Sequence, residues 1–494
     1  MTEPYPLTNA TLRQLSFTTP RYDRSSLTPG ILHIGVGNFH RAHQAWYLHQ
    51  LMQMGQAQDW AILGAGVRSY DIAMREKLLA QDCLTTLIQL DPAQSSVEVI
   101  GPMIDYLPIE DGNCALISAM VDPQIRIVSL TVTEGGYFQN PATGTFDADH
   151  PDIQHDAAHP QTPKTAFGAM IEALRLRRAK GHEPFTALSC DNLQGNGAIL
   201  RQVIVSLAQQ IDPDLATWID THVSFPNSMV DCIAPSVGPE EVALAESFGI
   251  KDAAPVIHEP FRQWVIEDDF CNGRPDWAAV GATFSSDVHA YETMKIRILN
   301  AGHQVIIGAA ELLSLATVAE AMTHPQIAAL FHKVQSEHIA PLVPSVPEMA
   351  TADYVALIAQ RFANPKIKDT VRRVAFDGAT RHAGFLLPIL REALAKGHDI
   401  DGLALIEALW CRMCAGSRKD GSDIAPNDPQ WDKLHACALT AKLRPAAWVE
   451  LSHIYGDLGQ SAAFVGAFDR WLRLLWAEGT AATLAAYTGV EVSP

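Results

Sequence analysis

The sequence predicts two halves of different class, an α/β half built on a mostly parallel sheet and an all-α half that follows it. The first 285 residues alternate short β-rich apolar runs with stretches of helical periodicity, whereas residues 286–494 are Ala- and Leu-rich at helical spacing with little β-branched alternation. A chain of 494 residues also exceeds what one ordinary hydrophobic core serves, so two large domains are expected, residues 1–285 and residues 286–494.

In the first half Ile31–Val36, Trp60–Leu63, Ile125–Thr133 and Phe185–Cys190 read as strands, and 40–53, 70–80, 112–121, 164–180 and 195–210 carry helical periodicity. Such alternation implies strands running the same way, with helices covering both faces. In the second half the loops Pro341–Pro347 and Ser417–Pro429, rich in Pro, Gly, Ser and Asp, interrupt the helices without marking a further domain.

Hydrophobic residues make up 48% and charged residues 18%, the balance of a soluble globular protein. No apolar run approaches the roughly 18 residues that span a bilayer. The amino terminus lacks the basic start and apolar stretch of a secretory signal, so a cytoplasmic location is expected. A formal net charge of −19 repels nucleic-acid backbones and anionic membranes, which leaves a small molecule as the expected partner. The eight cysteines lack the spacing of a disulfide framework. Cys411 and Cys414 form a Cys-x-x-Cys with His435 and Cys437 downstream, but the segment 404–414 reads as a buried helix, where thiols behave as small apolar groups. His40 and His43 have no thiolate or carboxylate set nearby, and no metal site is expected.

Gly35-Val-Gly37 closes the first strand and a helix begins at once. In a Rossmann-type unit the first glycine permits the tight turn and the second lets a pyrophosphate approach the helix N-terminus. The third glycine position holds His40. Candidate cofactor contacts at this turn are Gly35, Gly37, Asn38 and Phe39. Asp71, in the loop after the second strand, stands where a carboxylate meets the adenosine ribose; a carboxylate there repels a 2′-phosphate and favours NAD, while Arg68 leaves NADP open. Thr131, Thr133 and Glu134, in the loop Thr131-Val-Thr-Glu-Gly-Gly-Tyr137, lie at the carboxyl edge of a later strand, where ligands of such sheets bind, and Ser189–Asn196 ends the next.

Lys295, Asn300 and His303 lie in one predicted helix. At about 100° per residue they fall within an arc of roughly 140°, and Glu292, one turn earlier, points into the same arc. Ile296, Ile298 and Leu299 face the other way, so an amine, an amide and an imidazole are aimed at one small volume. Alcohol oxidation needs a base for the hydroxyl proton, and a lysine serves near pH 8 only if its pKa falls from about 10.4. Asn300 and His303 supply donors to an alkoxide as it forms, without a metal.

Ile34–His43, Thr131–Tyr137, Ser189–Asn192, Phe225-Pro-Asn-Ser-Met-Val-Asp231, Phe261–Asp268 and Lys295…Asn300…His303 together resemble the long-chain mannitol dehydrogenase family, which includes mannitol 2-dehydrogenase, D-arabinitol dehydrogenases and fructuronate reductase. The resemblance runs from about residue 28 to the C-terminus. It implies a zinc-independent, NAD(P)-dependent oxidoreductase, with Lys295 as general base, Asn300 and His303 on the reacting oxygen, Asn192 and Asp231 facing the substrate, and Glu292 controlling proton passage to the lysine. It also implies a monomer or a weak homo-oligomer. Two departures bear on the substrate. Cys232 stands where the family usually has arginine, and Arg381 stands where lysine is common, so that Arg373 and Arg381 together suit either vicinal hydroxyls or a carboxylate. The expected reaction interconverts a C5 or C6 polyol, mannitol or arabinitol, with its ketose. The alternatives are an aldonate oxidoreductase acting on mannonate and fructuronate, and a catalytically silent NAD-binding sensor.

Overall fold

The computed structural model describes residues 3–139, 145–418 and 420–491; Lys419, within the predicted loop 417–429, lies outside them. The chain divides into two compact units, Met1–His289 and Ala290–Pro494.

The centre of the first unit is a five-stranded sheet of β1 (Pro29–Ile34), β2 (Ala61–Ala65), β3 (Met103–Tyr106), β4 (Ile127–Leu130) and β5 (Thr186–Ser189), in the order β3-β2-β1-β4-β5 and parallel throughout. Ile31, Leu32, Ile34, Ile127, Val128 and Leu130 are buried, as expected of strands covered on both faces. The chain leaves β1 at one side of the order and β4 at the other, so a crevice opens beyond the carboxyl ends of these two strands. β3 was not expected: the charged Asp105 breaks its short apolar run, and its strand character comes from pairing with β2.

Helices Asn38–Ala42, Gln44–Gln53, Asp71–Leu79, Cys114–Val121, Ala166–Lys180 and Asn196–Ile211 fall where the periodicity indicated. The single expected helix 40–53 is two, because His43 adopts φ −121° and ψ −94° between them. Three small sheets complete the unit, one of them the parallel pair Tyr5–Pro6 and Ile250–Lys251. Thr85–Gln89 pairs antiparallel with Ser96–Ile100 and parallel with Val256–His258, and Gln263–Ile266 pairs antiparallel with Ser228–Asp231 and parallel with Thr283–Phe284.

The second unit has helices and no strand among its described residues. Helix Asp401–Cys414 is buried along nearly its whole length and packs against Ala301–Leu312 and Ala462–Ala477. One expectation is corrected here. Residues 294–303 do not form a regular α-helix: Val288–Met294 is α-helical, Lys295–Asn300 is a π-helical turn, and Ala301–Leu312 is α-helical again, with the Ala301 N–H bonded to the Ile296 carbonyl five residues back. Gln335–Ile339 and His382–Leu386 are π turns as well, and both pack against the first. Among the described residues, no helix is long and apolar enough to cross a membrane.

Candidate active site

In the first unit a cleft of about 500 Å³ lies beyond the ends of β1 and β4, lined by Gly35, Gly37, Arg68, Asp71, Thr131 and Thr133 among others. Gly35 has φ +93°, and a Cβ there would sit 2.2 Å from the Thr131 carbonyl oxygen, so only glycine fits. Gly37 has nothing closer than 4.0 Å to its Cβ position, which leaves room for a phosphate at the backbone. Asn38 and Phe39 are not among the lining residues. The Asn38 side chain donates to the Pro235 carbonyl at 2.8 Å and accepts from Arg41 at 2.8 Å, and Phe39 stacks on His43 at 4.8 Å. His40, at the third glycine position, is buried and stacks on His33 of β1 at 3.4 Å, with an imidazole in place of a close backbone contact. Burial pushes the His40 pKa well below its ordinary value, and neighbouring His33 and Arg41 add to that.

Asp71 is held by the loop before it: its Oδ2 accepts the Val67 and Arg68 N–H groups at 3.2 and 3.0 Å. Partial burial raises its carboxyl above the usual range, against the pull of those amides and of the Arg68 charge. The Arg68 guanidinium lies 3.4 Å from Asp152.

Thr133 takes φ +66°, a conformation costly for a branched residue. The residue that holds it is Asp191, whose carboxylate accepts the Val132 and Thr133 N–H groups at 3.0 and 2.9 Å and the Tyr137 hydroxyl at 2.7 Å. The sequence reading did not single out Asp191. An acid two residues after β5, beside Asn192, was the available signal. Glu134 is exposed at the start of the 3-10 turn Glu134–Tyr137 and does not line the cleft.

Asn192 is exposed after β5, and Asp231 is buried at the end of its strand, opposite Gln263. Cys232 is buried. Arg262, over Trp46 at 4.1 Å, has its guanidinium pKa lowered by burial, with Cys232 and Glu98 among the groups that oppose the shift. A cation therefore stands near Cys232 from another part of the chain.

In the second unit Lys295 and Asn300 are the first and last residues of the π turn, with His303 one α-turn further on. Because an i→i+5 bond closes a turn there, residues five apart come nearly one above the other, and the arc between lysine and asparagine is narrower than the α-helical estimate. Lys295 and Glu292 are buried. Asn300 Oδ1 and His303 Nε2 are buried and find no hydrogen-bond partner among the described residues. The His303 ring stacks on Phe362 at 4.1 Å. Burial lowers its pKa to about 3; Asp369 opposes this, and Arg373, Arg381 and Arg361 reinforce it. The imidazole is thus neutral at working pH.

Arg373 grips Asp369 through two bonds of 2.6 Å, and Arg381 Nε donates to the Phe376 carbonyl at 2.8 Å. Much of the Arg373 fork is therefore already occupied. Cys411 and Cys414 lie buried in their helix with thiols pushed up by burial, and His435 meets the Cys414 carbonyl at 3.0 Å.

A parallel sheet with a glycine turn at its switch point, followed in the chain by an all-helical half, defines a Rossmann-type protein with a helical second domain. Residues 29–279 match the mannitol dehydrogenase Rossmann domain and residues 287–476 the mannitol dehydrogenase C-terminal domain. The chain belongs to the mannitol dehydrogenase family. It is 54% identical to a mannitol 2-dehydrogenase of Cereibacter sphaeroides over 95% of this chain and 98% of that one. It also resembles the structure of the Pseudomonas fluorescens mannitol 2-dehydrogenase in ternary complex with NAD and D-mannitol (39% identity, TM-score 0.85, 98% and 99% of the two chains). A D-sorbitol dehydrogenase in substrate-free form is similar as well (33% identity, TM-score 0.90, 97% and 100%).

Proposed function

We propose that the protein oxidises mannitol at a secondary hydroxyl to the ketose, and reduces the ketose in return, with Lys295 as the base and no zinc. As a member of its family it is an NAD-linked secondary-alcohol oxidoreductase acting on polyols. The reading assigns residues 1–285 to the cofactor and residues 286–494 to the acid–base chemistry, in the cytoplasm.

The cleft fits a dinucleotide. Gly37 leaves space for the pyrophosphate, Asp71 would meet the ribose, and Gly35, Thr131 and Thr133 would line the path to the nicotinamide; Asn38, Phe39 and Glu134, which do not line the cleft, would act on the cofactor only by supporting the turns beside it. NAD, when bound, supplies the hydride acceptor.

The chain's own residues do the rest. Lys295, with a neutral amine, takes the hydroxyl proton. Neutral His303 in its Nε2–H form and the Asn300 amide donate to the oxygen as negative charge grows on it, the point at which fixed donors lower a barrier most. Glu292, one turn before the lysine, passes the proton onward. Asn192, Asp231, Arg373 and Arg381 contact the remaining hydroxyls. The observation that carries this reading is the pair of buried polar atoms, Asn300 Oδ1 and His303 Nε2, that find no partner among the described residues although such atoms are nearly always paired. A polyol meets both: its reacting oxygen accepts from His303 Nε2–H, and a neighbouring hydroxyl donates to Asn300 Oδ1, which as an amide oxygen only accepts.

The test is turnover on mannitol, arabinitol, sorbitol and mannonate with NAD and NADP, beside Lys295→Ala. Mannitol with NAD is expected to be preferred, and Lys295→Ala to lose on the order of a hundredfold or more in kcat. A strong preference for mannonate would show that the arginines read a carboxylate, and cofactor binding without any turnover would make the protein a sensor.

A further inference from the structure

The π turn that carries Lys295 and Asn300 is gripped from outside its own helix. Gln335 Nε2 donates to the Ile298 carbonyl, in the middle of the turn, at 2.9 Å. Gln335 is fully buried, and its Oε1 finds no partner among the described residues. Leaving half of a buried amide unsatisfied is unfavourable, so an apolar residue of the same size would suit this core better if packing were all that mattered. What the amide adds is a directed bond to one backbone carbonyl. π turns are uncommon because their wider ladder is less favourable than the α ladder around it, and they persist where something fixes them.

Gly302 supplies an independent sign. A Cβ at this position would lie 2.9 Å from Gln335 Nε2 and 3.1 Å from Phe331 Cε2. The absent side chain leaves the lane through which the amide reaches Ile298. The same position is 3.7 Å from Phe362, the ring on which His303 stacks. Gln335 itself opens the second π turn, Gln335–Ile339, which packs against the first.

The geometry points to Gln335 as a positioning residue for the reaction: its bond to the Ile298 carbonyl holds Lys295–Asn300 in the π register, which keeps the amine and the amide on one face. Gln335 acts through the backbone and through Lys295. If the turn relaxes to α register, residues five apart swing to about 140° from each other, and the lysine no longer points where Asn300 and His303 do. This inference rests on the assignment of Lys295 as base.

The experiment compares the full-length enzyme with Gln335→Leu, Gln335→Glu, Lys295→Ala and the double variant Lys295→Ala/Gln335→Leu, using mannitol and saturating NAD. Gln335→Leu is expected to lower kcat on the order of a hundredfold, as a misplaced reacting group does. NAD affinity, read by quenching of protein fluorescence, stays within about twofold, since no residue lining the glycine-turn cleft belongs to the π turn or bonds to Gln335. In Gln335→Glu the deficit relative to the parent is expected to shrink as pH falls, because a protonated carboxyl regains a donor for Ile298 and an ionised one has none. Added to Lys295→Ala, Gln335→Leu should cost little more. A folded Gln335→Leu enzyme with parental kcat overturns the proposal. So does a loss that multiplies in full with that of Lys295→Ala, which marks a general structural role. If Gln335→Leu does not fold, the pH dependence of the Gln335→Glu deficit decides, and a deficit that does not change with pH counts against the clamp. Parental turnover in Lys295→Ala alone removes the base assignment, and the clamp is then judged by the kcat of Gln335→Leu.

Discussion

His303 is the residue whose chemistry the structure constrains most closely. Its imidazole is buried against Phe362 and its pKa is pushed down to about 3, so it neither gains nor loses a proton between about pH 5 and 10. A neutral ring has one N–H to give, which suits a donor to an alkoxide and excludes a base that cycles through the imidazolium. Replacing His303 with alanine is therefore expected to lower kcat by on the order of 10²-fold, the usual consequence of removing one fixed donor. The pH values at which kcat/KM turns over should stay where they are, because His303 does not set them. The pH–rate profile of His303→Ala checks this, and an acid limb that disappears with the histidine would contradict the assignment. Asp191 shows the same economy in the first unit, where one carboxylate fixes two backbone amides and the Tyr137 hydroxyl. Burial raises its pKa while those donors pull it back down, and the ionised form is the one that can accept from all three.

At the scale of elements, the turn from β1 into helix Asn38–Ala42 is the junction with least tolerance. Gly35→Ala places a methyl group 2.2 Å from the Thr131 carbonyl oxygen and forces a φ of +93° on a residue that avoids it. Either β1 parts from β4 at their carboxyl ends or the turn rearranges. NAD affinity is expected to fall at least about tenfold, with a stability loss of about 1–3 kcal/mol for the strained conformation. Titration of protein fluorescence with NAD and a melting curve check both, and unchanged affinity would free the turn from its proposed role. This junction was legible in the sequence, because Gly-x-Gly between a β-branched run and a helical one is a local signal with a local cause. So were β1, β2, β4 and β5, which lie in runs dominated by buried apolar residues. β3 was not, since Asp105 breaks its short run and its strand character comes from pairing with β2 across the sheet. The π turn was illegible for a related reason: Lys295, Asn300 and His303 were found by spacing, but Gln335 meets Ile298 from 37 residues away, and no window around residue 298 contains it. Asp191 lies between. It was visible as a residue, but its bonds to Val132 and Thr133 cross 59 and 58 positions.

Across the whole molecule, buried histidines govern how the fold responds to acid. His33, His49, His258 and His303 all have pKa values lowered to about 3, and His40 lies well below its ordinary value; burial is the leading cause for each. In the unfolded chain these five rings protonate near pH 6.5. Between pH 6.5 and about 3 the unfolded chain therefore binds protons that the folded chain refuses, and by linkage stability rises with pH across this window. Their contribution is complete above pH 6.5 and is lost as the solution is acidified towards 3. Asp71, Glu98 and Asp191 work in the opposite direction, because burial raises their carboxyls and the folded state then holds protons that the unfolded chain has released. Five rings outnumber three carboxyls, and carboxylates held down by ion pairs, such as Asp268 and Glu392, act with the rings, so the melting temperature is expected to fall from pH 7 to pH 4. One variant isolates the cause. His49 is buried and bonded through Nδ1 to the Tyr22 hydroxyl at 2.8 Å, and glutamine is a neutral replacement that still offers that hydroxyl a partner. His49→Gln should melt lower than the parent at pH 7 and lose less on acidification, with about one proton fewer taken up on unfolding near pH 5. Calorimetric melting at pH 7, 6, 5 and 4 compares the two slopes directly. Equal slopes would mean that His49 protonates in the folded state and takes no part in the acid response.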